Sequence, residues 1–257
     1  MFIEITKSLC YSSKTMEEQI DLGNWTGQKL DELLKESAKI ASVCSRIEFL
    51  SKQFLDTPYK KSTLIGDINT PEIFVINLGG IDCFTFLDYI EAMRISISFS
   101  EFKGNLKKVR YKSGEISYKE RNHFFTDWVE FNSNLVNDIS VSISNGKNKL
   151  ITKKLNEKND GTQFLKGIPC INHEIVYVPS MAIDDFVMDK LNTGDYIGVY
   201  SETEGLDVSH VGIIVIKKNT VSFRHASSKY QRVVDEDFIE YITDKPGIIA
   251  LRPIQKE

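Results

Sequence analysis

The sequence has no CxxC pair, no cysteine framework, no long apolar stretch and no excess of positive charge. Each absence removes a class of protein. Cys10, Cys44, Cys83 and Cys170 stand far apart, so spacing suggests neither a disulfide scaffold nor a zinc site, and no metal is expected. No apolar run approaches the ~18 residues that suggest a transmembrane segment. Lys and Arg total 32 against 36 Asp and Glu, a net charge of -4, and no basic run stands out. The electrostatic footprint of a nucleic-acid partner is therefore missing. The stretch Met1–Lys7 lacks a basic region and carries Glu4 inside its apolar patch, so no signal peptide is expected. There is no internal repeat.

What is present fits one ordinary globular domain. The chain has 257 residues, 41% of them apolar and 26% charged, which suffices for one sizeable core. Apolar residues recur near a 3.6 period over 26–56, which predicts a helix ended by Asp56-Thr57-Pro58. A second helical pattern, with Leu87, Ile90 and Met93 on its buried face, covers about 83–97 after the pair Gly79-Gly80. Val109–Tyr118 suggests a hairpin, and the aromatic-rich 121–134 is expected to be partly helical. The polar stretch 144–162 is expected to be an exposed excursion. Strands are predicted at 195–200, 211–216, 221–225 and 248–253. Helices followed by a run of strands indicate an α+β fold, with helices packed on an antiparallel sheet. The expected organisation is a single domain over 1–257. It has a helical part (1–56), a segment with a candidate nucleophile helix (57–100), an insertion (101–180) and a β-rich half (181–257).

Cys83 falls where the glycine pair gives way to a helix. A helix N-terminus offers partial positive charge and unpaired N–H groups, which favour a thiolate and can hold an oxyanion. Taken alone, Cys83 is better explained as a small core residue. A nucleophile needs a base, and the four histidines are His123, His173, His210 and His225. In "HVGIIVIKKNTVSFRHAS" a two-residue turn at Lys218-Asn219 pairs Lys217 with Thr220. Counting outward, Gly212 faces His225, and His210 shares the face of Gly212. The two imidazoles become diagonal neighbours, about 7–8 Å apart at the backbone. That supplies a base and a residue to orient it. Gly212 is expected to leave open space beside the pair, and Gly79-Gly80 to leave room for a substrate. Asp82 is expected to cap the Cys83 helix.

These blocks resemble a known family. Asp82-Cys83 opening a helix, Ser209-His210-Val211-Gly212 opening a strand and Arg224-His225-Ala226-Ser227-Ser228 on the next are similar to the NlpC-type papain-like cysteine peptidases of peptidoglycan. More closely, the chain resembles the N-acetylmuramoyl-L-alanine amidase-like branch. Thr57-Pro58-Tyr59, "DCFTFLDYIEA", "VRYKSGEISYKERNHFFTDW", "GDYIGVYSETEGLDVSHVGIIV", "FRHASS" and "GIIALRP" carry that likeness from about residue 50 onward.

The resemblance implies a papain-like fold with family-specific insertions. It implies Cys83 as nucleophile, His210 as general base, His225 as its orienting residue, and neither metal nor other cofactor. It further implies cleavage of the amide between N-acetylmuramic acid and L-alanine, with anhydro-muropeptides as partners. The Pro-Tyr pair suggests Tyr59 as an oxyanion donor, across a long gap to Cys83. Arg121, His123 and Trp128, with Arg110 and Tyr111, are candidates for binding sugar and peptide, against a reading of the aromatics as core. Two other reactions use the same machinery: a γ-D-glutamyl-diaminopimelate endopeptidase, and an acyltransferase or thioesterase. A binding module on a degenerate fold would be expected to have lost the nucleophile or base. The compartment stays open between the bacterial envelope or periplasm, if a leader was removed, and cytoplasm or signal-independent export.

Overall fold

The computed structural model describes residues 18–218 and 220–255, so Cys10 and the N-terminal stretch fall outside it. Strand β1 (Glu18–Asp21) precedes helices α1 (Gly27–Ala38) and α2 (Val43–Lys52). Strand β2 (Phe74–Asn77) leads to α3 (Cys83–Arg94), α4 (Phe99–Arg110) and α5 (Phe125–Phe131). Next come β3 (Val136–Asp138), the short α6 (Ser140–Ile143), β4 (Lys149–Leu155), β5 (Ile171–Pro179) and α7 (Asp185–Lys190). The last part holds β6 (Tyr196–Tyr200), β7 (Val208–Lys217), β8 (Thr220–Ser227), β9 (Arg232–Asp237), α8 (Phe238–Ile242) and β10 (Gly247–Pro253).

The main sheet is antiparallel, in the order β4-β5-β10-β6-β7-β8-β9, with β3 beside β10. Alternation along its strands divides the core in two. Val211, Ile213, Ala226 and Val233 face the larger cluster, with α1 to α4. Ile214, Phe223 and Ile248 face the smaller one, with Phe238 and Ile242 of α8 and Val187 of α7. The four strands expected near the C-terminus all lie in this sheet. Among the described residues no helix is long and apolar enough to cross a membrane.

Three expectations need correction. The helix expected over 26–56 is two helices. Arg46 ends the first by donating to the Ala38 and Ile40 carbonyls, while the Ser42 hydroxyl caps the second. A 3.6 period alone does not register such a break, because each half keeps a helical stripe of its own, Leu30, Leu33, Leu34 and Ser37 in the first and Val43, Ile47, Leu50 and Ser51 in the second. The hairpin expected over Val109–Tyr118 is instead the end of α4 and a turn. The helix begins at Ser98, whose hydroxyl accepts from the Glu101 N–H, and Ser-x-x-Glu was the available signal. The polar excursion contains β4, paired with β5 from Lys149↔Tyr177 to Leu155↔Ile171. Most of its residues face solvent, but Lys153 is buried and donates to the Ser201, Thr203 and Leu206 carbonyls.

Candidate active site

Cys83 is the first residue of α3. Asp82 caps the helix by accepting from the Thr85 N–H at 2.8 Å, and Thr85 returns a bond to the Asp82 N–H. The backbone of Cys83, of Phe84 and, from β7, of Val211 lies close enough to the thiol to favour its charged form. The thiol thus rests against the strand that carries His210. Burial, followed by the Asp82 carboxylate, pushes its pKa up to about 12, and the three backbone groups only partly oppose this. The activation expected from the helix N-terminus is outweighed.

The register of β7 with β8 is the one expected, Lys217↔Thr220 through Ile213↔Arg224. His210 and His225 accordingly meet, Nε2 to Nδ1 at 2.7 Å, with ring planes perpendicular. The same parity repeats one strand further. His225 pairs with Val234 of β9, so Glu236 lies diagonal to it on the same face. Glu236 Oε1 stands 2.8 Å from His225 Nε2. Three adjacent strands therefore carry one hydrogen-bonded row. Phe223 stacks on His225 at 4.9 Å, and Tyr241 of α8 packs against His225 at 5.0 Å and His210 at 6.2 Å. Burial holds His210 down to about 3, aided by the charges of His225 and Lys245. Burial also holds His225 down to about 4, against the pull of Asp235. A cavity of about 880 Å³ opens on His210, His225, Glu236 and Tyr241, and Cys83 is not in its wall. Among the described residues no group of three or more His, Cys, Asp or Glu stands where it could hold a metal.

The family profile described as AmiA-like, N-acetylmuramoyl-L-alanine amidase-like, matches residues 49–248. The chain belongs to this family. It is accordingly a hydrolase of the peptidoglycan amidase type, and its mixed fold agrees with a papain-like core. A Legionella pneumophila str. Philadelphia 1 protein of the DUF1460 family superposes with a TM-score of 0.76 at 23% identity, over 89% of this chain and 94% of that one. An N-acetylmuramoyl-L-alanine amidase from Bacteroides uniformis ATCC 8492 gives a TM-score of 0.66 at 26% identity, over 88% and 99%. A Bacteroides fragilis protein described as a xylanase gives 0.64 at 28% identity, over 79% and 98%. No curated protein matches the sequence.

Within this amidase-like fold the remaining candidates separate. Tyr59 comes near Cys83 despite the sequence gap. Pro58 and Lys60 bond the Ile81 backbone, one residue before the Asp82 cap. Burial raises the Tyr59 pKa, as do the nearby charges of Cys83 and Asp82. Arg110 and Trp128 do not line a substrate wall. Both are buried in the core, where Arg110 Nε and Trp128 Nε1 donate to Asp88 at 2.8 and 3.1 Å. Tyr111 is also fully buried and donates to Glu72, which takes an ion pair from the half-buried Arg121. Half-buried His123 donates to the Tyr118 carbonyl, and burial holds it down to about 4. None of these side chains lines the cavity that opens on the histidine row.

The glycines also carry a different message. A Cβ at Gly212 would meet the Phe223 ring at 2.5 Å, so the space beside the histidines is already filled. At Gly79 it would meet the Gly23 backbone at 3.1 Å, and at Gly80 the Lys60 side chain at 3.0 Å. All three are closely packed, and at Gly212 the contact is shorter than a Cβ can adopt. Glu236 and Tyr241 escaped the sequence reading. The signal for Glu236 was the strand-parity count used for the histidines, carried one hairpin further.

Proposed function

We propose that Cys83, His210 and His225 hydrolyse the amide between N-acetylmuramic acid and L-alanine, with anhydro-muropeptides as substrates. The observation that supports this most is the His210–His225 bond on the strand that packs against α3, the helix Cys83 opens. Family membership and the similarity to the Bacteroides uniformis amidase supply the bond class.

With the thiol raised and the imidazoles lowered, the resting pair is neutral, so proton transfer accompanies attack. The Nε2 atom of His210 is engaged by His225, which leaves Nδ1 to take the thiol proton. Sγ bonds to the lactyl carbonyl carbon, and the carbonyl π pair moves to oxygen. The N–H groups at the start of α3 and the Tyr59 hydroxyl receive that oxyanion. Collapse breaks the C–N bond, and the L-alanine nitrogen leaves with the proton from His210. Water then gives a proton to His210 and attacks the thioester. The C–S bond breaks, the sulfur takes the proton back from His210, and the muramic carboxylic acid departs and releases its proton to solvent.

Glycoside hydrolysis, which the xylanase description would require, needs two carboxylates flanking the scissile bond. Of the carboxylates around the thiol and the histidines, four are held: Asp82 by the helix cap, Glu236 by His225, Asp235 by Arg224 and Asp237 by the cap of α8. The test is product identification by mass spectrometry on a defined anhydro-muropeptide. Release of free anhydro-disaccharide and an intact stem peptide, lost in Cys83→Ala, is expected. A stem cut between D-glutamate and diaminopimelate would replace the amidase with an endopeptidase.

A further inference from the structure

We propose that Glu236 is a positioning residue that sets the tautomers of both histidines, and so decides which nitrogen of His210 is free to accept a proton. This deepens the Cys83–His210 reading above and rests on it. The row His210 Nε2–His225 Nδ1 (2.7 Å) and His225 Nε2–Glu236 Oε1 (2.8 Å) can carry its protons in two directions. A carboxylate only accepts hydrogen bonds. Glu236 therefore requires N–H at His225 Nε2, which makes His225 Nδ1 an acceptor. His210 must then donate from Nε2, and its Nδ1 keeps a lone pair. Reversing the row would put hydrogen on His210 Nδ1, the form unable to take a thiol proton. Neither histidine alone makes this choice, because a neutral imidazole offers one donor and one acceptor in either tautomer.

The surroundings support the assignment. Phe223 and Tyr241 pack against His225, whose side chain is 2% exposed, while that of Glu236 is 21% exposed, at the cavity. Solvent therefore reaches the end of the row where the charge resides. Asp235 is already bidentate with Arg224, which is itself held by Ser51, so it does not compete for His225. Lys245 is felt by His210, and Tyr241 and Lys229 feel the charge of Glu236; Arg232, Asp237, Glu240 and Asp244 line the same cavity.

The test uses ¹⁵N-histidine NMR and steady-state kinetics on wild type, Glu236→Gln and Glu236→Asp. A glutamine keeps the size of the glutamate but can present an NH₂ donor, which supports the reversed row. In wild type both histidines should carry hydrogen on Nε2. Glu236→Gln should add a population with hydrogen on His210 Nδ1, lower kcat about 10- to 100-fold with KM unchanged, and Glu236→Asp should recover part of it. In serine proteases the same carboxylate-to-amide change costs about 10⁴; here the carboxylate is one ring further from the base. Hydrogen on His210 Nδ1 in wild type would overturn the proposal. So would a glutamine variant with unchanged tautomers, whatever its turnover. If the tautomers shift but wild type cuts no muropeptide, the amidase assignment fails and the positioning role stands.

Discussion

Two clusters of polar and aromatic side chains lie inside this protein, and they are built from nearly the same parts. One joins Asp88, Arg110 and Trp128 in the core, with Arg110 Nη1 also donating to the Val75 carbonyl. The other joins His210, His225 and Glu236 between Phe223 and Tyr241. The first closes on itself: Asp88 and Arg110 are 1% exposed and Trp128 is fully buried. The second opens on a cavity and leaves one imidazole nitrogen outside the row. Residue type alone does not separate a brace from a site. What separates them is whether solvent and a spare proton acceptor reach the cluster.

That contrast can be broken by substitution. The largest effect is expected for Cys83→Ala and His210→Ala, each lowering kcat by about 10⁴-fold or more with the fold kept; turnover assays beside circular dichroism check this. Arg110→Met should do the reverse. It leaves Asp88 buried without its ion pair, at about 3–5 kcal/mol. Thermal denaturation should show a fall of about 10 °C in Tm, with kcat per folded molecule unchanged. A specific rise in KM would return Arg110 to the substrate wall. Asp82→Ala removes the cap of α3 and should cost about 1 kcal/mol, read as a small drop in Tm.

The smallest effect is in pH dependence. His210 titrates lower in the folded protein than in the unfolded chain, so below the ordinary histidine range the unfolded chain binds the extra proton. Stability should therefore fall as pH drops from about 6.5 toward 4. Tm measured across that interval should slope less in His210→Gln than in wild type. Equal slopes would remove the buried, neutral imidazole from the account.

How far the sequence could be read follows the same division. Strand parity located His210 and His225 because it needs only the turn length and the alternation of faces. Cys83 was found because a cap residue and a helical pattern mark where a helix starts. Arg110, Tyr111, Arg121 and Trp128 were misplaced for a common reason. Arginine beside aromatics suits both a ligand wall and a buried brace, and the deciding partners, Asp88 and Glu72, come from distant parts of the chain. The Tyr59–Cys83 approach was hidden similarly, since it depends on Pro58 and Lys60 pairing with Ile81. The split of the first helix depends on Arg46 reaching the Ala38 and Ile40 carbonyls, which no local pattern records.

The hairpin joining β7 to β8 has one more consequence. Lys218, at its tip, adopts a left-handed conformation with φ 52°, and from that tip to His225 every residue alternates sides. The identity of the tip residues can drift with little effect on the row. An inserted residue has to be absorbed at the tip itself. Carried into β8, it would turn His225 to the wrong side of the sheet together with Phe223 and Ala226, which the two cores and the pairing with β9 hold in place. The burial of the strand thus protects the row against changes in the loop.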